Sequence, residues 1–98
     1  MTYRVRALRA AERQIERADA WWGEHRREAP HLFADELAAA VDVLETSPRI
    51  VQLAGYPHRD DVRAYTLPAS KYRVFFVVSE DDRTVTILRV RHARKRPL

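Results

Sequence analysis

The sequence predicts an α+β fold of order β-α-α-β-β-β, with a helical hairpin packed on one face of an antiparallel sheet. Three observations carry this. The chain opens on a segment that alternates apolar and polar residues. Two stretches follow in which apolar residues recur every three or four positions. Three short β-prone runs then fill the last third.

Each element follows in order. Tyr3, Val5 and Ala7 fall on one side of Tyr3–Leu8, the pattern of a half-buried strand. From about Arg9 to Glu28, Ala11, Ile15, Ala18, Trp22 and His25 line one face of an amphipathic helix, with Arg, Glu, Gln and Asp elsewhere. Pro30 suits the first turn of a second helix. Phe33, Leu37, Ala40, Val41 and Leu44 keep helical spacing to about Thr46, where Ser47-Pro48 stops it. The short link near Arg27–Ala29 makes the two helices antiparallel neighbours. Arg49–Asp61, with Gly55 and Pro57, reads as a loop. Val62–Leu67, Tyr72–Ser79 and Thr84–Arg91 read as strands, the last two joined by a turn at Glu80–Arg83. The first strand is expected at an edge or beside the last strand. Residues 1–98 form one domain, with 92–98 a basic tail.

Composition narrows the chemistry. There is no cysteine among the 98 residues, which excludes a disulfide scaffold, a thiolate metal site and a cysteine nucleophile. His25, His31 and His58 lack metal-like spacing, so no metal and no cofactor is expected. No apolar run approaches a membrane span, and the opening residues contain no apolar signal core; a cytoplasmic protein with no membrane partner is expected. Charge is unevenly placed. Residues 1–61 hold nine Lys/Arg against eleven Asp/Glu, a net of −2; residues 62–98 hold nine against three, a net of +6. Sixteen of the eighteen bases are Arg, whose planar fork suits phosphates and carboxylates. The basic half is therefore expected to face something acidic.

The chain resembles the RelE/ParE superfamily of toxins from type II toxin–antitoxin modules. The residues that carry the likeness are Tyr3-x-Val5, Trp21-Trp22, Ala29-Pro30-x-Leu32-Phe33, and Leu44-Glu45-x-x-Pro48. The strands add Tyr72-Arg73-Val74-x-Phe76 and Val85-x-Ile87-Leu88-x-Val90-x-His92-x-Arg94. The resemblance implies a cognate antitoxin in a hetero-oligomer. It also implies one of two targets. ParE-like members poison DNA gyrase; RelE-like members are metal-independent, ribosome-dependent endoribonucleases that cut mRNA. The ParE-like reading leads. The RelE-like nuclease is the alternative, and a non-toxic antitoxin-binding module a further one.

RNA cleavage needs a base for the 2′-hydroxyl, cations for the in-line phosphorane and an acid for the leaving oxygen. The resemblance would place Arg73, His92 and Arg94 in those roles. The Tyr that many RelE-like members carry beyond the basic cluster is missing, as is the lysine pair on the strand before Tyr72. Contacts to the target are expected from Arg63, Tyr72, Arg73, Arg89, Arg91, His92, Arg94, Lys95 and Arg96, with Arg89 and Arg91 sharing a side of the last strand with Val85 and Ile87. Trp21 and Trp22 read as core and interface anchors. Tyr65, Phe75 and Val77 fall by alternation on the side opposite Val74, Phe76 and Val78; that side needs a cover, which the resemblance assigns to the antitoxin together with the two tryptophans.

Overall fold

A computed structural model describes residues 2–94. Its elements are β1 (Arg4–Ala7), α1 (Arg9–His25), α2 (Leu32–Thr46), a 3₁₀ turn (Pro48–Ile50), β2 (Arg63–Thr66), β3 (Tyr72–Ser79) and β4 (Thr84–His92). Order and type of the expected elements hold, with ends moved by a few residues. Lys95 and Arg96, expected at the target contact, lie outside the described residues.

The four strands form one sheet in the order β1-β4-β3-β2. β2, β3 and β4 make an antiparallel meander. β1 is an edge strand beside β4 and runs parallel to it, so the sheet is mixed rather than antiparallel throughout. Alternation identifies a strand without its direction. Here the hairpin of helices makes the crossover that a parallel neighbour requires.

The helices cover one face. α1 buries Ala11, Ala18 and Trp22, with Ile15 partly buried. Its two buried alanines carry no bulk beyond Cβ, which suits close approach to β4. His25, expected on the same face, is exposed: it stacks on the Trp21 ring at 4.5 Å, with Nδ1 2.9 Å from the Trp21 carbonyl. Trp22 donates its Nε1–H to the Ala29 carbonyl (2.9 Å), tying the link between the helices back onto α1. α2 buries Phe33, Ala40 and Leu44 against Leu67, Val74, Phe76, Val85, Ile87 and Val90 of the sheet layer. Tyr3, Val5 and Ala7 join this core as expected.

Two fastenings hold the ends. The Glu36 carboxylate accepts the backbone N–H groups of Ala69 (2.7 Å) and Ser70 (2.9 Å), so α2 holds the turn before β3. At the other end the Tyr3 hydroxyl donates to Glu80, which also pairs with Arg49 and Arg83. Arg83 ends the β3–β4 turn in the left-handed region (φ 51°) and lays its guanidinium over the Tyr3 ring at 4.0 Å.

A basic cleft and a divided set of candidate residues

One irregularity decides where the candidate side chains point. Phe75 pairs with Arg89, but Phe76 pairs with Ile87, leaving Leu88 as an extra residue. A bulge of this kind shifts the alternation of one strand by a place. Ile87 and Val90 can therefore both face the helices, each 3% exposed. Arg89 and Arg91 are turned to the other face, opposite Phe75 and Arg73. This corrects the expectation that they share a side with Val85 and Ile87.

The register divides the expected target contacts. Arg73, Arg89 and Arg91 lie on the helix-free face. Tyr72 and His92 pair with each other on the helix side, with rings edge to face at 5.2 Å and Tyr72 in turn against Phe33 at 5.0 Å. Burial pushes the Tyr72 phenol above its ordinary pKa, so it is neutral at physiological pH. His92 Nδ1 accepts the backbone N–H of Arg94 (3.1 Å), which leaves the ring proton of the neutral imidazole on Nε2. Arg63 pairs with Phe76, so it too lies on the helix side; its Nη1 donates to the carbonyls of Val51 (2.5 Å) and Arg49 (3.2 Å). That guanidinium holds the 3₁₀ turn and the chain after it.

The residues expected beneath the antitoxin are also divided. Tyr65 pairs with Val74 and packs on the core, so it faces the helices rather than sharing a side with Phe75 and Val77. Phe75 does lie on the helix-free face, yet is 3% exposed. The chain supplies its cover: the Tyr56 ring at 5.4 Å and the Arg73 guanidinium at 5.0 Å. Val77, opposite Thr86, is half-buried on that face. Trp22 is buried, and Trp21 is exposed beside it.

β1 ends opposite Ile87, so β4 from Leu88 onward has no strand on that edge. Gln14 of α1 occupies part of the gap, accepting the Val90 N–H at 2.7 Å. Beside this edge lies a cleft of about 1060 Å³, bounded by the end of α1, the 69–71 turn and the end of β4. Arg17, Arg26, Lys71, Arg89, Arg91 and Arg94 line it against a single acid, Glu28. Trp21 and Tyr72 supply ring surface, and Arg26 lies over the Trp21 ring at 5.2 Å.

Sequence reasoning missed three of these cations. Arg17 and Arg26 sit in the half of the chain with net negative charge, and only the packing of α1 beside β4 brings them to the basic strand. Lys71 occupies a turn with φ 65°, a conformation uncommon for a residue with a side chain. The arrangement concentrates positive charge beside an open strand edge and suits an anionic, partly aromatic or apolar partner. Among the described residues, no three His, Cys, Asp or Glu side chains cluster to hold a metal ion, and no helix is long and apolar enough to cross a membrane.

Comparison with known proteins agrees with this architecture. Residues 5–97 match the family model described as ParE toxin of type II toxin–antitoxin system, parDE. No curated protein matches the sequence. Among solved structures, the fold is similar to the chromosomal ParDE system of P. aeruginosa (TM-score 0.71, 15% identity, 92% of this chain and 95% of that one). It is also similar to the RelBE2 toxin–antitoxin complex of Mycobacterium tuberculosis (TM-score 0.64, 22% identity, 94% and 99%). The isolated E. coli RelE toxin is similar to the same degree (TM-score 0.64, 22% identity, 96% and 87%).

Proposed function

The chain belongs to the ParE toxin family of type II toxin–antitoxin systems, and on that premise we propose that it inhibits DNA gyrase by protein contact, without cutting RNA. The observation that carries this reading is that Arg73 is set apart from the other candidate nuclease residues, His92 and Arg94, which line the cleft. Arg73 is on the helix-free face and His92 on the helix side, where it packs on Tyr72. In-line cleavage needs its base, acid and cations around one phosphate. In the cleft Tyr72 and His92 stand beside the cations and one carboxylate, Glu28, but Arg73 does not line it. A surface of convergent cations from which Arg73 is turned away suits docking better than catalysis.

In this reading the cleft and the helix-free face meet the target, and the protein acts in the cytoplasm. A cognate antitoxin neutralises it in a hetero-oligomer by covering the same cations. Lys95 and Arg96 continue the basic run in sequence.

Induction of the chain without its antitoxin tests this. A gyrase inhibitor produces DNA damage and filamentation with intact transcripts, and the purified protein blocks supercoiling by gyrase in vitro. Early arrest of translation with cut mRNA would instead establish the RelE-like nuclease. Growth without effect would establish a module that binds its antitoxin and no more. The double variant R73A/H92A separates catalysis from docking: a nuclease loses cleavage altogether, whereas a docking surface loses affinity in steps.

A further inference from the structure

The sheet does not end at β2. Residues 52–54 run antiparallel along its outer side, with Leu53 opposite Arg63. Ala54 donates its N–H to the Val62 carbonyl (2.8 Å), and Ala64 donates to that of Gln52 (3.3 Å). Those two bonds flank the pair, so Leu53 and Arg63 exchange none themselves, and the N–H and C=O of Leu53 point away from β2. Neither meets a partner among the described residues. The chain on either side is drawn back onto the sheet. Before this segment, the Arg63 guanidinium holds the carbonyls of Arg49 and Val51; after it, the Tyr56 ring lies on Phe75. An open rung thus faces outward at Leu53. Leu53 is 59% exposed and Ile50, on the adjoining 3₁₀ turn, 75%, the two most open of the large apolar side chains among the described residues.

Edge strands are ordinarily kept apart by charge, proline or a bulge. The β1 edge follows this rule, with Arg4 and Arg6 exposed. Residues 50–56, Ile-Val-Gln-Leu-Ala-Gly-Tyr, carry no charge and no proline. We propose that this edge pairs with itself: a second copy of the chain adds its own residues 51–55 antiparallel, about a two-fold axis at Leu53. The register follows from the open rung. The outward N–H and C=O of Leu53 bond those of the residue directly opposite, and a two-fold axis through that rung makes this residue the Leu53 of the second copy. Val51 then stands opposite Gly55 and Gln52 opposite Ala54, neutral against neutral. The two Leu53 side chains meet on the helix side, where Arg63 lies. The same pairing centred on Val5 of β1 would set Arg4 against Arg6. The basic cleft lies at β4, so the two copies carry their clefts toward the far ends of one continuous sheet. About seven strand spacings, roughly 34 Å, separate the two β4 strands. Pairing through this edge leaves both clefts open and does not depend on what they bind.

Sedimentation velocity of the purified full chain, from low micromolar to millimolar concentration, provides the test. The chain is expected to pass from one copy to two as concentration rises. Leu53→Lys and Leu53→Glu, at an exposed position, each set like charge against like across the axis and are expected to weaken the dimer at least about tenfold. Mixed in equal amounts, the two variants are expected to re-form a dimer, because opposite charges now face each other, and to lose it again as salt is added. R4E, on the β1 edge, is expected to leave the parent dimer unchanged. Circular dichroism confirms that each variant is folded, and L53R with L53D repeats the test if the first pair is not. A parent chain that stays monomeric throughout, a Leu53→Lys dimer as tight as the parent's, a mixture that fails to re-form the dimer, or a dimer weakened equally by R4E would overturn the inference.

Discussion

Glu36 is the residue through which the α2 helix controls the cleft, and removing its charge is a quantitative test of the fold. The carboxylate receives two backbone N–H groups from the turn that presents Lys71 and Tyr72. In Glu36→Ala both lose their acceptor. Ala69 is exposed and water replaces the lost bond there. Ser70 is 1% exposed, and its N–H is left without that partner in a dry place. An unsatisfied buried donor costs about 1–3 kcal/mol, and a hydrogen bond to a charged group is worth about 1.5–3. A loss of about 2 kcal/mol is expected, which for a domain of this size lowers Tm by roughly 8–16 °C. Glu36→Gln keeps one acceptor oxygen and replaces the other by a donor, so an intermediate loss is expected. The charge has a pH signature. Burial raises the Glu36 pKa, but the N–H groups of Ser70 and Ala69, with Lys71 nearby, outweigh it and hold the pKa below its ordinary value. A carboxyl whose pKa is depressed by folding stabilises the native state above its unfolded pKa, and that contribution is lost as pH falls through the folded one. The gap in Tm between the chain and Glu36→Gln should thus be widest near neutrality and shrink below about pH 4.5. Thermal melts by circular dichroism at pH 7 and pH 3.5 measure it. Melting of Glu36→Ala within a degree of the parent chain, or a gap that does not change with pH, would refute the reasoning.

Four further outcomes are expected. Trp22→Phe removes the bond to the Ala29 carbonyl while keeping an aromatic ring, and should cost about 1–2 kcal/mol in chemical denaturation. Trp21→Ala, at an exposed position, should change stability by much less while weakening whatever the cleft binds, read by calorimetry against the antitoxin. Phe75→Ala should cost about 3 kcal/mol despite lying on the helix-free face, because Tyr56 and Arg73 already bury the ring; a change below 1 kcal/mol would mean that face is open in solution. Deleting Leu88 leaves Ile87, Arg89, Val90 and Arg91 in strict alternation opposite Phe76, Phe75, Val74 and Arg73, so the strand should close into a regular ladder and still melt cooperatively; loss of the folded protein would disprove the register argument.

Much of the architecture was legible because each element has a strong period. Val74 and Phe76 alternate with Phe75 and Val77, and Phe33, Ala40 and Leu44 keep helical spacing. For this reason the period alone bounds β3 to the residue and α2 to within two. The direction of β1 was not legible, since Tyr3-x-Val5-x-Ala7 reads the same for a parallel or an antiparallel neighbour. Nor was the cover over Phe75, which comes from a loop without periodicity. The face of Tyr65 is not legible either, because alternation within a strand does not fix its phase relative to the next; only the pairing with Val74 does that.

The site was less legible than the fold, and Leu88 shows why. Read as a simple strand, Val85, Ile87, Arg89 and Arg91 share a side, an arrangement that would set two arginines in line with core residues. One of these placements had to yield. Moving an arginine into an apolar core costs far more than opening one ladder position. The bulge resolves the conflict by stepping from Ile87 to Val90 across three residues, so both stay buried and the arginines turn out. The same step sets Arg91 directly opposite Arg73. The fold thus gathers cations at the end of the sheet where β4 also lacks a neighbouring strand and where Arg17 and Arg26 arrive from α1. An anionic segment bound there would meet Arg89 and Arg91 together with the cations of α1. The extra residue in β4 is what turns Arg89 and Arg91 out of the core and lets them join that cluster.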